Sequence, residues 1–156
     1  MNIRIIAVGK LKEQYLKDAL KEYEKRLGAF CTFSITEIAP EQINDESLCE
    51  KYKELEADRI LQALKQTSYV ITLEIKGRKF TSECFAQKLK DIINDGISDI
   101  SFIIGGANGL SERVSKIANL KLSFSDMTFT HQMIRILLVE QIYRAFKINA
   151  NEPYHR

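Results

Sequence analysis

Two short runs, Ile3–Val8 and Ile100–Ile104, are apolar almost without interruption. A strand exposed on one face alternates apolar and polar side chains, whereas a strand covered on both faces loses that alternation. Runs of this kind therefore demand a sheet with helices on both sides. The segments around them fit the demand. Phe30–Ile38 is rich in β-branched and aromatic residues and ends at Pro40, as a strand would. Tyr69–Ile75 and Leu120–Phe124 read as two further strands, with Lys76-Gly77-Arg78-Lys79 turning the chain after the first of them.

Helical periods separate these runs. Tyr15, Leu16, Ala19, Leu20, Tyr23 and Leu27 mark a helix over Leu11–Leu27 that Gly28 stops. A second helix is expected over Leu48–Lys65, capped by Asn44, Asp45 or Ser47, with Leu48, Leu55, Ile60, Leu61 and Leu64 on its apolar side. A third, capped by Ser82, carries Phe85, Leu89, Ile92 and Ile93 and ends at Asn94-Asp95-Gly96. A short helical segment follows Gly109, and a long one runs over His131–Ile148. Strict alternation of strand and helix implies an α/β fold with a mostly parallel sheet and helices on both faces. No linker or repeat divides the chain, so residues 1–156 are expected to form one domain.

Composition excludes more than it identifies. The net charge of +2 is too small to argue for nucleic-acid binding by itself. Cys31, Cys49 and Cys84 are dispersed, without the paired spacing of a zinc site or disulfide framework. The N-terminus lacks the apolar core of a signal peptide, and no apolar run approaches the ~18 residues of a membrane span. A cytoplasmic protein with reduced thiols, no metal and no membrane contact is expected.

In open α/β sheets, ligands bind outside the carboxyl ends of strands. Two loops emerge there in close succession. Gly105-Gly106-Ala107-Asn108-Gly109 suits close backbone approach to a ligand, or a turn that needs positive φ. It is neither a G-x-G-x-x-G fingerprint nor a Walker A loop. Ser123–His131 mixes hydroxyls with apolar Phe124, Met127 and Phe129, a lining fit for an adenosine-like molecule. Thr128 or Thr130 is placed to cap the last helix. His131 opens that helix, where the dipole favours a neutral imidazole. Glu140 and Arg144 form an i,i+4 pair in the favoured order. The chain ends in Tyr154, His155 and Arg156, side chains suited to stack on bases and pair with phosphate.

Taken together, IIAVGKLKEQYLKDALKEYEKRLG, VITLEIKGR, FIIGGANGL, LSFSDMTFTHQMIRILLVEQIYRAFKI and the terminal PYHR resemble the RlmH family of SPOUT methyltransferases, the ribosomal RNA large-subunit methyltransferases H. The resemblance spans the whole chain. It implies a SPOUT-type α/β fold with a C-terminal trefoil knot, and a homodimer. It also implies transfer of a methyl group from S-adenosylmethionine to N3 of a pseudouridine in helix 69 of 23S rRNA, within the assembled ribosome. On this likeness the cofactor contacts are Leu73, Gly105, Phe124, Ser125, Asp126, Met127, Thr128 and Phe129. Arg144, Tyr154, His155 and Arg156 form the RNA-facing set. His155 is the candidate base for the N3 proton, with His131 and the C-terminal carboxylate as alternatives. The family usually has proline where this chain has Thr130; threonine can serve there as a helix cap. Two other readings stand beside this one: a SPOUT enzyme acting on another RNA such as transfer RNA, and a non-catalytic nucleotide-binding module.

Overall fold

A computed structural model describes residues 1–42 and 44–154. His155 and Arg156, expected at the RNA and the proton transfer, lie outside the described residues. The elements are β1 (Asn2–Val8), α1 (Gln14–Leu27), β2 (Thr32–Ile38), α2 (Cys49–Ala63), β3 (Tyr69–Lys79), α3 (Ser82–Asn94), β4 (Asp99–Ile104), α4 (Glu112–Lys116), β5 (Leu120–Ser123) and α5 (Met133–Asn149). The strands form one five-stranded sheet in the order β2-β1-β4-β3-β5, with parallel pairing throughout.

Both faces are covered, which is why the central strands read as unbroken apolar runs. Helices α1, α3 and α5 pack on one face, where Ile5, Ile71 and Phe102 meet Leu89, Leu138 and Ile142. Helices α2 and α4 cover the other, where Ile6, Val8 and Ile103 meet Ala57, Ile60 and Val114. Neighbours such as Ile5 and Ile6 thus enter opposite cores, and each such side chain contributes roughly 1.5–3 kcal/mol by leaving water. None of the described helices is long and apolar enough to cross a membrane.

Some local expectations are corrected. Helix α1 begins at Gln14, because the amide of Leu11 donates to Glu37 Oε1 at 2.9 Å and holds Leu11–Glu13 as a loop. Thr81, not Ser82, caps α3, accepting from the Cys84 amide. Of the candidates before α2, Asp45 is the cap, and it opens a 3-10 turn over Glu46–Leu48. Helix α2 presents Glu56, Ala57 and Ile60 to the sheet and leaves Leu48 and Leu55 exposed. Small Ala57 lets the helix lie close, and that sets which stripe is buried.

One polar contact ties the last helix to the first strand. Arg135 is 0% exposed. Its guanidinium donates to the carbonyls of Val8 at 2.9 Å and Gly9 at 2.8 Å, to Glu37 Oε1 at 3.1 Å, and to the His131 carbonyl at 3.1 Å. Burial pushes its pKa down, while Glu37 pulls it up. A planar fork with five donors suits this set of acceptors, and an ammonium would not.

Replacing Arg135 with Met should destabilise the fold by about 3 kcal/mol, the low end for breaking a buried ion pair. The low end applies because Glu37 keeps 34% exposure and can rehydrate. Thermal melting should show a drop of roughly 6–12 °C. A drop smaller than that would mean the two carbonyls find water as easily as they found Arg135.

Candidate active site

Strands β4, β3 and β5 end side by side, and each releases the chain into a loop facing the same space. The result is a cleft of about 600 Å³, within the range of small-molecule sites. Its walls are Leu73 to Ile75 within β3, the 104–109 segment at the end of β4, and the 122–134 segment from the end of β5; Glu13, Tyr15 and Leu16 close one side.

The β3 wall is not the simple strand and turn expected. Leu73 pairs with Leu122, and Arg78 then pairs with Leu122 again, so Glu74–Gly77 leave the ladder before the strand resumes to Lys79. Gly77 makes this excursion possible. A Cβ there would lie 2.8 Å from backbone atoms of Lys121 and Leu122, closer than any side chain tolerates. The bulge bends the strand outward and puts Glu74 and Ile75 into the cleft wall.

The glycine loop folds on itself. Gly105 lines the cleft, but a Cβ there would meet the Gly109 carbonyl carbon at 2.8 Å. The Gly109 amide donates to the Gly106 carbonyl at 3.0 Å, and Gly109 has φ +77°. Glycine at 105 is thus required by loop closure, whatever occupies the cleft.

In the third wall, Ser125 Oγ accepts from the Met127 amide at 3.0 Å, and Ser123 Oγ donates to the Ser125 carbonyl at 3.2 Å. Thr130 Oγ1 accepts from the Met133 amide at 3.2 Å, capping α5 in place of a proline. Met127 is 77% exposed and Phe129 44% exposed, apolar walls of an open site. Leu73, Gly105, Phe124, Ser125, Met127, Thr128 and Phe129 are therefore brought together. Asp126 does not line the cleft; its carboxylate pairs with Lys79.

His131 sits half-buried at the rim, and its imidazole packs 3.3 Å from where a Cβ on Gly9 would be. Its pKa is lowered, first by burial and then by Arg135 and Lys12. The expected direction holds, and the cause is burial followed by two neighbouring cations.

Arg144 and Tyr154 lie apart from the cleft. Helix α5 ends in a Schellman motif: Asn151 takes φ 56°, its amide donates to the Ile148 carbonyl, and the Glu152 amide to that of Lys147. The tail turns back, and Tyr154 packs edge-on to Tyr143 with ring centroids 4.9 Å apart. The Arg144 guanidinium lies 4.9 Å over the Tyr154 ring and pairs with Glu140 at 2.6 Å. This group borders a hollow of about 250 Å³, lined by Glu140 and Gln141, that shares Leu122, Ser123 and Phe124 with the cleft wall. Burial raises the Tyr154 hydroxyl to about 12, so it remains a hydrogen-bond donor.

Glu13, Glu74 and Tyr15 were not anticipated at the site. A signal existed for Glu74, a carboxylate inside an otherwise apolar strand. Among the described residues, no group of three or more His, Cys, Asp or Glu side chains is placed to hold a metal.

The family described as "Predicted SPOUT methyltransferase" matches residues 1–155. A Methanococcus maripaludis (strain C5) protein named "Putative ribosomal RNA large subunit methyltransferase H" is 54% identical, covering 100% of both chains. A Ligilactobacillus salivarius (strain UCC118) "Ribosomal RNA large subunit methyltransferase H" is 51% identical with the same coverage. The solved structure of a probable methylase family protein from Haemophilus influenzae Rd KW20 superposes with a TM-score of 0.55 at 12% identity. That match covers 99% of this chain and 70% of the other, and it bears on the fold alone.

The lowered pKa of His131 has a consequence for stability. Between the folded pKa and the ordinary 6.5, the unfolded chain binds the proton and the folded chain does not, so stability rises with pH. The contribution is complete above 6.5 and is lost as pH falls toward the folded pKa. An NMR titration should place the His131 midpoint below 6.5, and His131→Gln should flatten that part of the stability curve. A midpoint at or above 6.5 would contradict the burial described.

Proposed function

Because the chain belongs to the SPOUT methyltransferase family, we propose that it transfers the sulfonium methyl of S-adenosylmethionine to large-subunit ribosomal RNA, at N3 of a pseudouridine in helix 69. The observation that carries this reading is the convergence of Leu73, Gly105 and the 124–129 loop on one cleft at three adjacent strand ends. The names of its two relatives at 54% and 51% identity support the RNA substrate.

The methyl group of a sulfonium is already activated, so no covalent enzyme intermediate is required. Alignment of N3 with the methyl carbon and sulfur supplies most of the rate. The N3 proton needs a base of near-neutral pKa. His155 is the proposed base, and neutral His131 at the rim is the alternative. Tyr154, whose single O–H is directed at Glu140, is assigned with Arg144 and Arg156 to the RNA-facing set.

The proposal includes a homodimer. The apolar residues of helix α5 extend beyond the face it packs on the sheet: Met133 is exposed, and Ile136 and Leu137 are half-buried. A second copy of the chain would cover them. Sedimentation should give twice the 17.9 kDa chain mass. The family likeness also carries the proposal of a trefoil knot threaded by α5, which an experimental backbone trace would test. A ribosomal substrate places the protein in the cytoplasm.

The nucleotide-module reading is less well supported, since no lysine or arginine among the described residues lines the cleft to meet a triphosphate. Calorimetry should show S-adenosylmethionine binding and no ATP binding; the reverse would favour the module. With a net charge of only +2, recognition of a shaped ribosomal pocket is favoured over recognition of free RNA. Assembled ribosomes should be methylated and naked rRNA should not. His155→Ala should slow single-turnover methylation and alter its pH profile. An unchanged profile would remove His155 as the base.

A further inference from the structure

The cleft has an uneven charge. Its titratable lining among the described residues is Glu13, Tyr15, Glu74 and His131, with no lysine or arginine. Glu13 is exposed at the mouth, where water screens it. His131 has its pKa lowered by burial and by Arg135 and Lys12, which favours the neutral form at pH 7.

Glu74 is held differently. It is half-buried. Its Oε1 accepts from the Thr72 hydroxyl at 2.6 Å and its Oε2 from the Ser115 hydroxyl at 3.0 Å. Thr72 is fully buried in β3, and Ser115 is on α4. The carboxylate is thus clamped from two elements, one oxygen each. A carboxylate has about four acceptor sites, so acceptor capacity remains for the cleft. The Glu74–Gly77 bulge, permitted by Gly77, takes this residue out of the strand ladder.

We propose that Glu74 is the residue by which the cleft distinguishes the cationic methyl donor from its neutral product. The proposal rests on the reading of this cleft as the S-adenosylmethionine site. The donor carries a sulfonium, an ammonium and one carboxylate, and so a net positive charge. In transfer the sulfur–methyl bond breaks and the methyl–N3 bond forms. The sulfur keeps the electron pair and becomes neutral, and the base holds the N3 proton. S-adenosylhomocysteine therefore has no net charge. A fixed anion in a cleft lined, among the described residues, by no lysine or arginine attracts the first and is nearly indifferent to the second. The attraction ends as the reaction completes, which favours product release. Because it is a ground-state attraction that weakens in the transition state, its removal should raise KM for the donor without lowering kcat.

The test is calorimetry of Glu74→Gln with three ligands: S-adenosylmethionine, S-adenosylhomocysteine, and sinefungin, in which a protonated amine stands at the sulfonium position. Kd for the two cations should rise roughly tenfold, the scale of a partly screened charge–charge attraction at a protein surface. Kd for S-adenosylhomocysteine should change less than about threefold, within the scatter of a neutral hydrogen bond. Glu74→Asp, which keeps the charge, should keep the preference. A second measurement needs no variant: in the wild-type protein, preference for S-adenosylmethionine over S-adenosylhomocysteine should shrink as salt rises. Equal weakening of all three ligands, or a preference unmoved by salt, would overturn the role of Glu74. Failure of the wild-type protein to bind S-adenosylmethionine at all would instead overturn the cofactor reading beneath it.

Discussion

The fold around the cleft depends on a buried guanidinium. Burying an arginine costs several kcal/mol unless its donors are met. Here they are met by acceptors from three segments: the end of β1, Glu37 at the end of β2, and His131 just before α5. Glu37 also accepts from the Leu11 amide, so one carboxylate fixes both the β1–α1 loop and the start of α5. The 122–132 loop is anchored at its far end by this arrangement. It begins at β5, on the edge beside β3, and must finish over β1. That path carries it across the ends of β3 and β4 and roofs the cleft.

The cleft's other walls are shaped by close backbone approach. Gly77 lets β3 leave the ladder and return against the same residue of β5, which turns a strand end into a wall. Gly105 lets the β4 loop close on Gly109. Both glycines act on the scaffold. Chemical specificity is left to hydroxyls, apolar side chains and one clamped carboxylate.

Much of this was legible in the residues. Unbroken apolar runs in β1 and β4 require two covered faces, and the five strands and five helices follow in order. The placement of the two loops at strand ends follows from parallel pairing. Other features had no local signal. Lys76–Lys79 is polar and contains glycine, so it reads as a turn; only the position of Leu122 reveals a resumed strand. On α2, leucine periodicity points to Leu48 and Leu55, but the sheet surface accepts small Ala57 with Ile60. Arg135 is visible in hindsight as a charge between Ile134 and Ile136, yet all its partners but the His131 carbonyl come from residues more than ninety positions away. The path of the tail had no local signal either: Asn151 reverses the chain and returns Tyr154 to its own helix.

The proposed function assigns to this cleft the methylation of one base of large-subunit rRNA, and mass mapping of 23S rRNA from cells lacking the protein is its test. One fragment, from helix 69, should be lighter by a single methyl group at a pseudouridine, and the intact gene should restore it. A fully methylated helix 69, with the missing methyl elsewhere or nowhere, would contradict it.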